Sequence, residues 1–482
     1  MKFNRIVSLV LLFTTIFAFV ACGAQGGTDP SGSDTANGEN TEIPESEITP
    51  DIPDDLKFSG ETVTVMSGEW VMTSVDTLEE APDPVWQAKY YIDLHVEDRF
   101  DITIDYVAIA PFQEVTTHAR QTVNSGSQDY QLIGAPAQTQ VHLINEGLYH
   151  SIDKLEYIDL DKPWWNREYI ESVSFHKDEL YVLFGDITYN TIERSTCVFF
   201  NINLLEEKLG MQPTDLYNLV YEGKWTIDKF AELVSQVYED DGNTIRDAGD
   251  TYGLVANWEE SFNWMAYGAG LSFTDRDENG YPVVNMYSEK TVDLVEKLCK
   301  LFFANDGTSY TVGSENAFGG GKALFVVNRF FLTSWEQFRT MEDDYGFLPI
   351  PKYDESVEGY HSPVESLVWW TTVPVTVENT EMVSAVAETM AYEGRLYLRP
   401  AYYETTLKLK QTRDDESMKM IDLIMSGRDT DYLYINSTGG VGDIFKSVFR
   451  ARQNNFASEY ARLEPAALQT ISNLIETYEE SH

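Results

Sequence analysis

Cysteine is scarce in this chain, with three in 482 residues, at positions 22, 197 and 299. Thiols this few and this far apart build neither a zinc cage nor a disulfide framework. Cys197 and Cys299 sit in apolar segments, CVFF and KLCKLFF, so buried free thiols and a single disulfide are the two states open to them. Positive charge is scarce too: 34 Lys and Arg stand against 79 Asp and Glu, for a net of -45. Such a surface is repelled by nucleic acid and anionic lipid, which argues against a phosphate-reading partner. The same acidity keeps an exported protein soluble, so it selects no function by itself. After Val20 no apolar run approaches the length that spans a bilayer. Catalytic signatures are also missing. There is no G-x-S-x-G, and the seven His show no H-E-x-x-H. Gly321-Lys322 fails as a phosphate loop, because Asn316 occupies the first glycine position and Ala323 the place of the magnesium-holding Ser or Thr.

What the chain does have begins with an address. Lys2 and Arg5 precede an apolar run, Ile6 to Val20, that reads as a signal segment over 1–21. Residues 22–57 are rich in Gly, Ser, Thr, Pro, Asp and Glu and read as a flexible acidic tether with a reach of roughly 30 Å. The remaining length exceeds one core, so two lobes are expected. Thr62–Met66, Ile102–Val107 and Tyr130–Gly134 read as strands alternating with helices near Ala88–Phe100 and Gln113–Ser125, the pattern of βαβ units and a mainly parallel sheet. Leu180–Phe184 reads as a further strand, and Leu367–Thr372 as a central one. Asp275–Gly280 reads as a hairpin turn, and the last hundred residues as helices.

The fullest local signal lies in Asn201–Val237. Thr226 is placed to cap a helix, Asp228 sits in its positive first turn, Trp225 can staple onto Phe230, and Ile227, Phe230, Leu233, Val234 and Val237 recur at helical spacing. The wording around it, an Asn after a buried strand, then Lys208-x-Gly210-x-x-Pro213 and Trp225-Thr226, resembles the extracellular solute-binding proteins of sugar-importing ABC transporters. So do Tyr252-Gly253, Gly321-Lys322-Ala323, Tyr345-Gly346 with Pro349 and Pro351, Pro400–Glu404 and Arg413–Ser417. Phe19-Val20-Ala21-Cys22-Gly23 resembles a bacterial lipobox. The resemblance covers about residue 58 to the end. It implies a type II periplasmic-binding-protein-like α/β fold, two lobes with a ligand cleft between them: 58–190 plus 352–395 as lobe I, and 191–351 plus 396–482 as lobe II. It implies a monomer, lipid-anchored through Cys22 on the extracellular face of the membrane, that captures a carbohydrate by hinge closure and passes it to permease subunits, with no enzymatic step and no required cofactor.

Sugar clefts need aromatic faces beside fixed polar groups. Trp70, Trp258, Phe262 and Trp264 are the stacking candidates. Glu69, Gln138, Asp186, Asn328 and Arg329, each just beyond a strand, are the polar ones. A single ring is more often core than platform, and surface solvation explains any one polar group. The acidic stretch 239–250 has calcium-loop spacing, with oxygens from Glu239, Asp241, Asn243, Ile245 (carbonyl), Asp247 and Asp250, although Thr244 stands in the glycine position. A solvated acidic loop is the alternative. Two other functions stay open at this point: a secreted glycosidase, for which 79 acidic residues supply carboxylate pairs by chance, and a cell-wall carbohydrate adhesin.

Overall fold

Ile102 and Ile104 are buried while Thr103 and Asp105 are exposed, and this period of two starts a strand, Ile102–Ile109, that runs parallel to Glu61–Gly68 over its whole length. A computed structural model describes residues 48–68, 81, 83–404 and 415–481. The signal segment, most of the tether, Glu69, Trp70 and Arg413 lie outside the described residues. Residues 48–57 lie on the folded body: Ile52 is buried, its carbonyl accepts from Arg99 at 3.3 Å, and Lys57 donates to Asp98 O at 3.0 Å. An apolar side chain at 52 gives that part of the predicted tether something to bury.

Two main sheets organise the fold. The first has the order Trp369–Thr372, Leu132–Pro136, Glu61–Gly68, Ile102–Ile109, with only the Trp369–Thr372 strand antiparallel to its neighbour. Helices Pro84–Phe100 and Val115–Asn124 make its crossovers, as the alternation of elements requires. The second runs Tyr345–Leu348, Thr196–Asn201, Ala323–Arg329, Thr251–Val255, Tyr238–Glu239, with Thr308–Ser309 also against Thr251–Val255. Thr196–Asn201 and Ala323–Arg329 are buried at every position, which is why they read as continuous apolar runs rather than alternating ones.

The capped helix forms as its sequence dictates. Thr226 accepts from Lys229 N at 3.3 Å, the Trp225 and Phe230 rings meet edge to face at 5.5 Å, and the helix spans Ile227–Ser235. The preceding segment holds another helix, Pro213–Tyr221. Pro213 starts it, and Gln212 with Asp215 form a capping box.

Three expectations change in the first sheet. The third strand is Leu132–Pro136, not 130–134, because Ala135 and Pro136 pair with Trp370 and Trp369. Trp369–Thr372 is an edge strand rather than a central one. Leu180–Phe184 forms no strand. It contributes a single bridge, Leu183 to Thr371, that covers this edge.

Ile48–His482 form one compact unit, and three segments pair where its two sheets approach. Ser195 bridges Val364, and Ser362-Pro363 pairs in parallel with Arg428-Asp429. The Thr274–Arg276 and Pro282–Val284 strands form the expected hairpin. Cys197 is a buried free thiol and Cys299 a half-buried one.

Candidate functional site

In open α/β layers, side chains collect beyond the carboxyl ends of the strands. Gly68 ends the first strand beneath Trp369, and a Cβ there would come within 2.3 Å of the indole, so only glycine fits. Phe112 flanks the same indole at 6.5 Å between ring centres. Neighbouring backbone is fixed by hydrogen bonds: Ala137 N to Val368 O at 2.8 Å, Gln138 N to Ser366 O at 3.3 Å, and Trp369 N to Asn190 Oδ1 at 2.8 Å.

From the second sheet, Arg329 ends the strand Ala323–Arg329 and reaches the same region. Its guanidinium carbon lies 5.1 Å from the Trp258 ring centre and 5.4 Å from that of Phe331, while the Arg194 guanidinium lies 4.9 Å from Phe331. Both arginines meet Glu365, with Arg194 Nη1 donating to Oε2 at 2.7 Å and Arg329 Nε lying 3.0 Å from the same oxygen. Arg194 Nε and Arg329 Nε and Nη1 are buried without a completed hydrogen bond among the described residues. Burial pulls the Arg329 guanidinium below its ordinary range against the pull of Glu365. Burial likewise pushes Glu193 up to about 7, with Arg194 acting in the opposite direction. The result is aromatic faces and two guanidinium forks held together where the sheets meet, beside backbone fixed by its own hydrogen bonds. Such a surface can stack on an apolar face and donate to hydroxyl or carboxylate oxygens.

The predicted residues divide. Trp258 and Arg329 come together here, and Gln138, exposed at the start of the helix Ala137–Asn145, lies nearby through Ser366. Phe262 does not belong: it is fully buried among Phe302, Phe303 and Phe449 and has no face left for a ligand. Trp264 is fully buried too, with Nε1 donating to Tyr434 OH at 3.3 Å, so it supports Trp258 edge-on at 5.3 Å instead of stacking on a ligand. Asn328 turns its Oδ1 to the Arg329 amide at 2.9 Å. Asp186 is buried with Arg395 at 3.3 Å and Arg399 at 3.8 Å, an ion pair that anchors a C-terminal turn. Glu69 and Trp70 lie outside the described residues. Arg194, Phe331, Glu365 and Trp369 were not foreseen. Only the paired tryptophans at 369 and 370 carried a signal, since Arg194 and Glu365 are 171 positions apart.

Of the six predicted calcium ligands, Asp241, Asn243, Asp247 and Asp250 are joined by hydrogen bonds, and Glu239 stands apart. Glu239 turns outward to Lys208, and Asn243 donates to Asp247 at 3.1 Å. Asp250 already accepts from Asp241 N at 3.1 Å and Tyr238 OH at 3.0 Å. Asp240, Asp241 and Asp250 do bring carboxylate oxygens within 4.8 Å of one another, a donor set of the hard-cation type.

No protein-family model matches the chain, and no curated protein sequence matches it. Solved structures do. A cyclo/maltodextrin-binding protein complexed with maltotetraose has a TM-score of 0.56 at 12% identity, covering 88% of this chain and 98% of that one. An ABC transporter solute-binding protein from Thermotoga lettingae bound with α-D-tagatose has a TM-score of 0.53 at 12% identity, covering 86% and 100%. An ABC substrate-binding protein from Listeria monocytogenes in complex with cycloalternan has 0.52 at 13%, covering 87% and 99%. At these identities the likeness establishes the fold, which is the expected type II periplasmic-binding-protein-like α/β architecture.

Proposed function

We propose that this chain is an extracytoplasmic solute-binding protein of an ABC importer and that its ligand is a carbohydrate, an oligosaccharide in the first instance. One observation carries the reading. The structural neighbours match over nearly their whole length, and this chain's own aromatic and guanidinium groups gather at strand ends, between its two sheets. The neighbours' printed ligands, maltotetraose, cycloalternan and tagatose, support a sugar.

Trp258 and Phe331 present ring faces to the C–H face of a sugar, and the arginines donate to its oxygens. Segments 190–195 and 361–369 act as the hinge, because Arg194, Ser195, Val364 and Glu365 tie them together beside the site. Ligand held by both sheets favours the closed form by its differential affinity, and the closed shape is what the permease subunits recognise. The ligand is released unchanged. In this reading Cys22 carries a lipid and the protein works as a monomer on the outer face of the membrane.

A thermal-shift screen over oligosaccharides, with chromatography of the mixtures, tests this. A binder is stabilised by its sugar and returns it intact. Cleavage of the stabilising sugar would favour a glycosidase, and stabilisation by none would remove the carbohydrate reading.

A further inference from the structure

Cations are scarce in this chain, yet two guanidinium groups stand together between the sheets, and one carboxylate oxygen answers both. Arg194 Nη1 and Arg329 Nε lie 2.7 and 3.0 Å from Glu365 Oε2. The other acidic groups that face this pair do not close the balance. Glu260 is held by Lys446 at 2.7 Å, which Asp443 also meets at 2.9 Å. Glu193, pushed up to about 7 by burial, keeps about half of its protons at neutral pH. Burial holds the Tyr434 hydroxyl well above its ordinary range, so it is neutral. A positive charge is left without a full partner, and a buried charge in that state is costly.

The two forks are open at one place each. Arg194 Nε and Arg329 Nε and Nη1 are sealed from solvent, so no ligand reaches them. The Nη2 nitrogens differ: among the described residues neither has a hydrogen-bond partner, and neither is sealed. Glu365 Oε1 is likewise unbonded among the described residues and not sealed. Small exposures agree with this, 9% for the Arg194 side chain and 11% for that of Arg329. Trp258 and Phe331, both half-buried, border the forks, and Trp335, exposed, meets Phe331 edge-on at 6.3 Å.

These groups sort ligand oxygens by type. A carboxylate only accepts, and it matches guanidinium donors with charge-assisted bonds. A hydroxyl also donates, and Glu365 Oε1 is there to accept. A wholly neutral sugar leaves the surplus charge unmatched, whereas a carboxylate on its ring cancels it. Resting on the carbohydrate reading above, we propose that the sugar taken by this site is acidic, a uronic acid residue with its carboxylate on Arg194 Nη2 and Arg329 Nη2 and a hydroxyl donating to Glu365 Oε1. The acidic surface elsewhere opposes such a ligand only weakly, because charges beyond about 8 Å are screened at physiological ionic strength. The contact groups decide.

Calorimetric titration of the whole chain with matched disaccharides tests the proposal: digalacturonate beside galactobiose, dimannuronate beside mannobiose, and cellobiouronate beside cellobiose. The expected result is that an acidic member binds about tenfold tighter than its neutral counterpart. Its affinity should fall with added NaCl, and both methyl esterification of its carboxylates and Arg329→Gln should remove the preference. The esters are read on wild-type protein, so the test stands even where Arg329→Gln melts early. Equal affinities within every pair, or a tighter neutral member, overturn the acidic-sugar inference and leave the carbohydrate reading intact. An acidic preference that folded Arg329→Gln keeps whole overturns it too, since the carboxylate then sits elsewhere. Silence from all six sugars sinks the inference as well, and the separate oligosaccharide screen then decides the wider reading by itself.

Discussion

Arg194 Nη1 donates to Glu365 Oε2 at 2.7 Å, and this bond joins two chain segments that pass side by side between the sheets. Both partners are buried, and the oxygen is shared with Arg329. Removing one member of such a pair leaves the others charged and desolvated. Glu365→Ala is therefore expected to lose about 3 kcal/mol in urea unfolding, and Glu365→Gln less, because the amide oxygen still accepts from one guanidinium.

Ligand contact should separate the aromatic residues that sequence grouped together. Trp258→Ala is expected to weaken binding of the best oligosaccharide from the screen by about tenfold, the worth of one stacking face. Phe262→Leu should leave affinity unchanged while lowering the melting temperature, because its ring is core. Calorimetry on both variants decides the matter, and equal losses of affinity would return Phe262 to the site.

Glu388 makes stability depend on pH. It is fully buried, accepts from Trp164 Nε1 at 3.0 Å and Trp165 Nε1 at 2.7 Å, and is pushed from 4.5 up to about 7 by burial, with the indole bonds pulling the other way. A raised carboxyl holds its proton longer folded than unfolded, so stability falls as pH climbs from about 4.5 through 7. The full effect is of order 3 kcal/mol per such group, and Glu193, pushed to about 7, adds its own. Glu388→Gln is expected to be less stable than wild type near pH 5, where it loses an indole acceptor. The gap should narrow by pH 8. Urea midpoints at the two pH values measure it.

Arg276 lies in the hairpin yet donates to the carbonyls at the end of another element, the helix Arg167–Val173. A cation there satisfies exposed carbonyls and complements the helix dipole. Arg276→Ala should cost about 2 kcal/mol and speed amide exchange in residues 167–176 before the rest of the sheet. Uniform protection across the chain would show the contact to be dispensable.

Asp250 organises the acidic loop by accepting from the amides of Asp241 and Asp247 and from the Tyr238 and Tyr252 hydroxyls. Asp250→Ala is expected to open residues 239–250 to limited proteolysis while the sheets keep their protection. An unchanged digestion pattern would mean that the loop holds itself by its other turns.

Sequence by itself determined the elements whose physics is local. The Thr226 cap, the Trp225 staple and the hairpin near 277 all formed where spacing and turn chemistry placed them, because each depends on neighbours within a few residues. It also gave the α/β class, since alternating strand and helix patterns leave few other packings. Only the tertiary structure decided which rings are core and which lie against the arginines. Phe262 and Trp264 share a helix with the same composition cues as a binding platform, and burial against Phe302 and Tyr434 removed them. Arg194, Glu365 and Arg329 become a cluster only when segments far apart in the chain are folded together. Neither burial nor the meeting of distant charges is encoded at any single position, so Trp258 and Arg329 come together while their sequence neighbours serve the core.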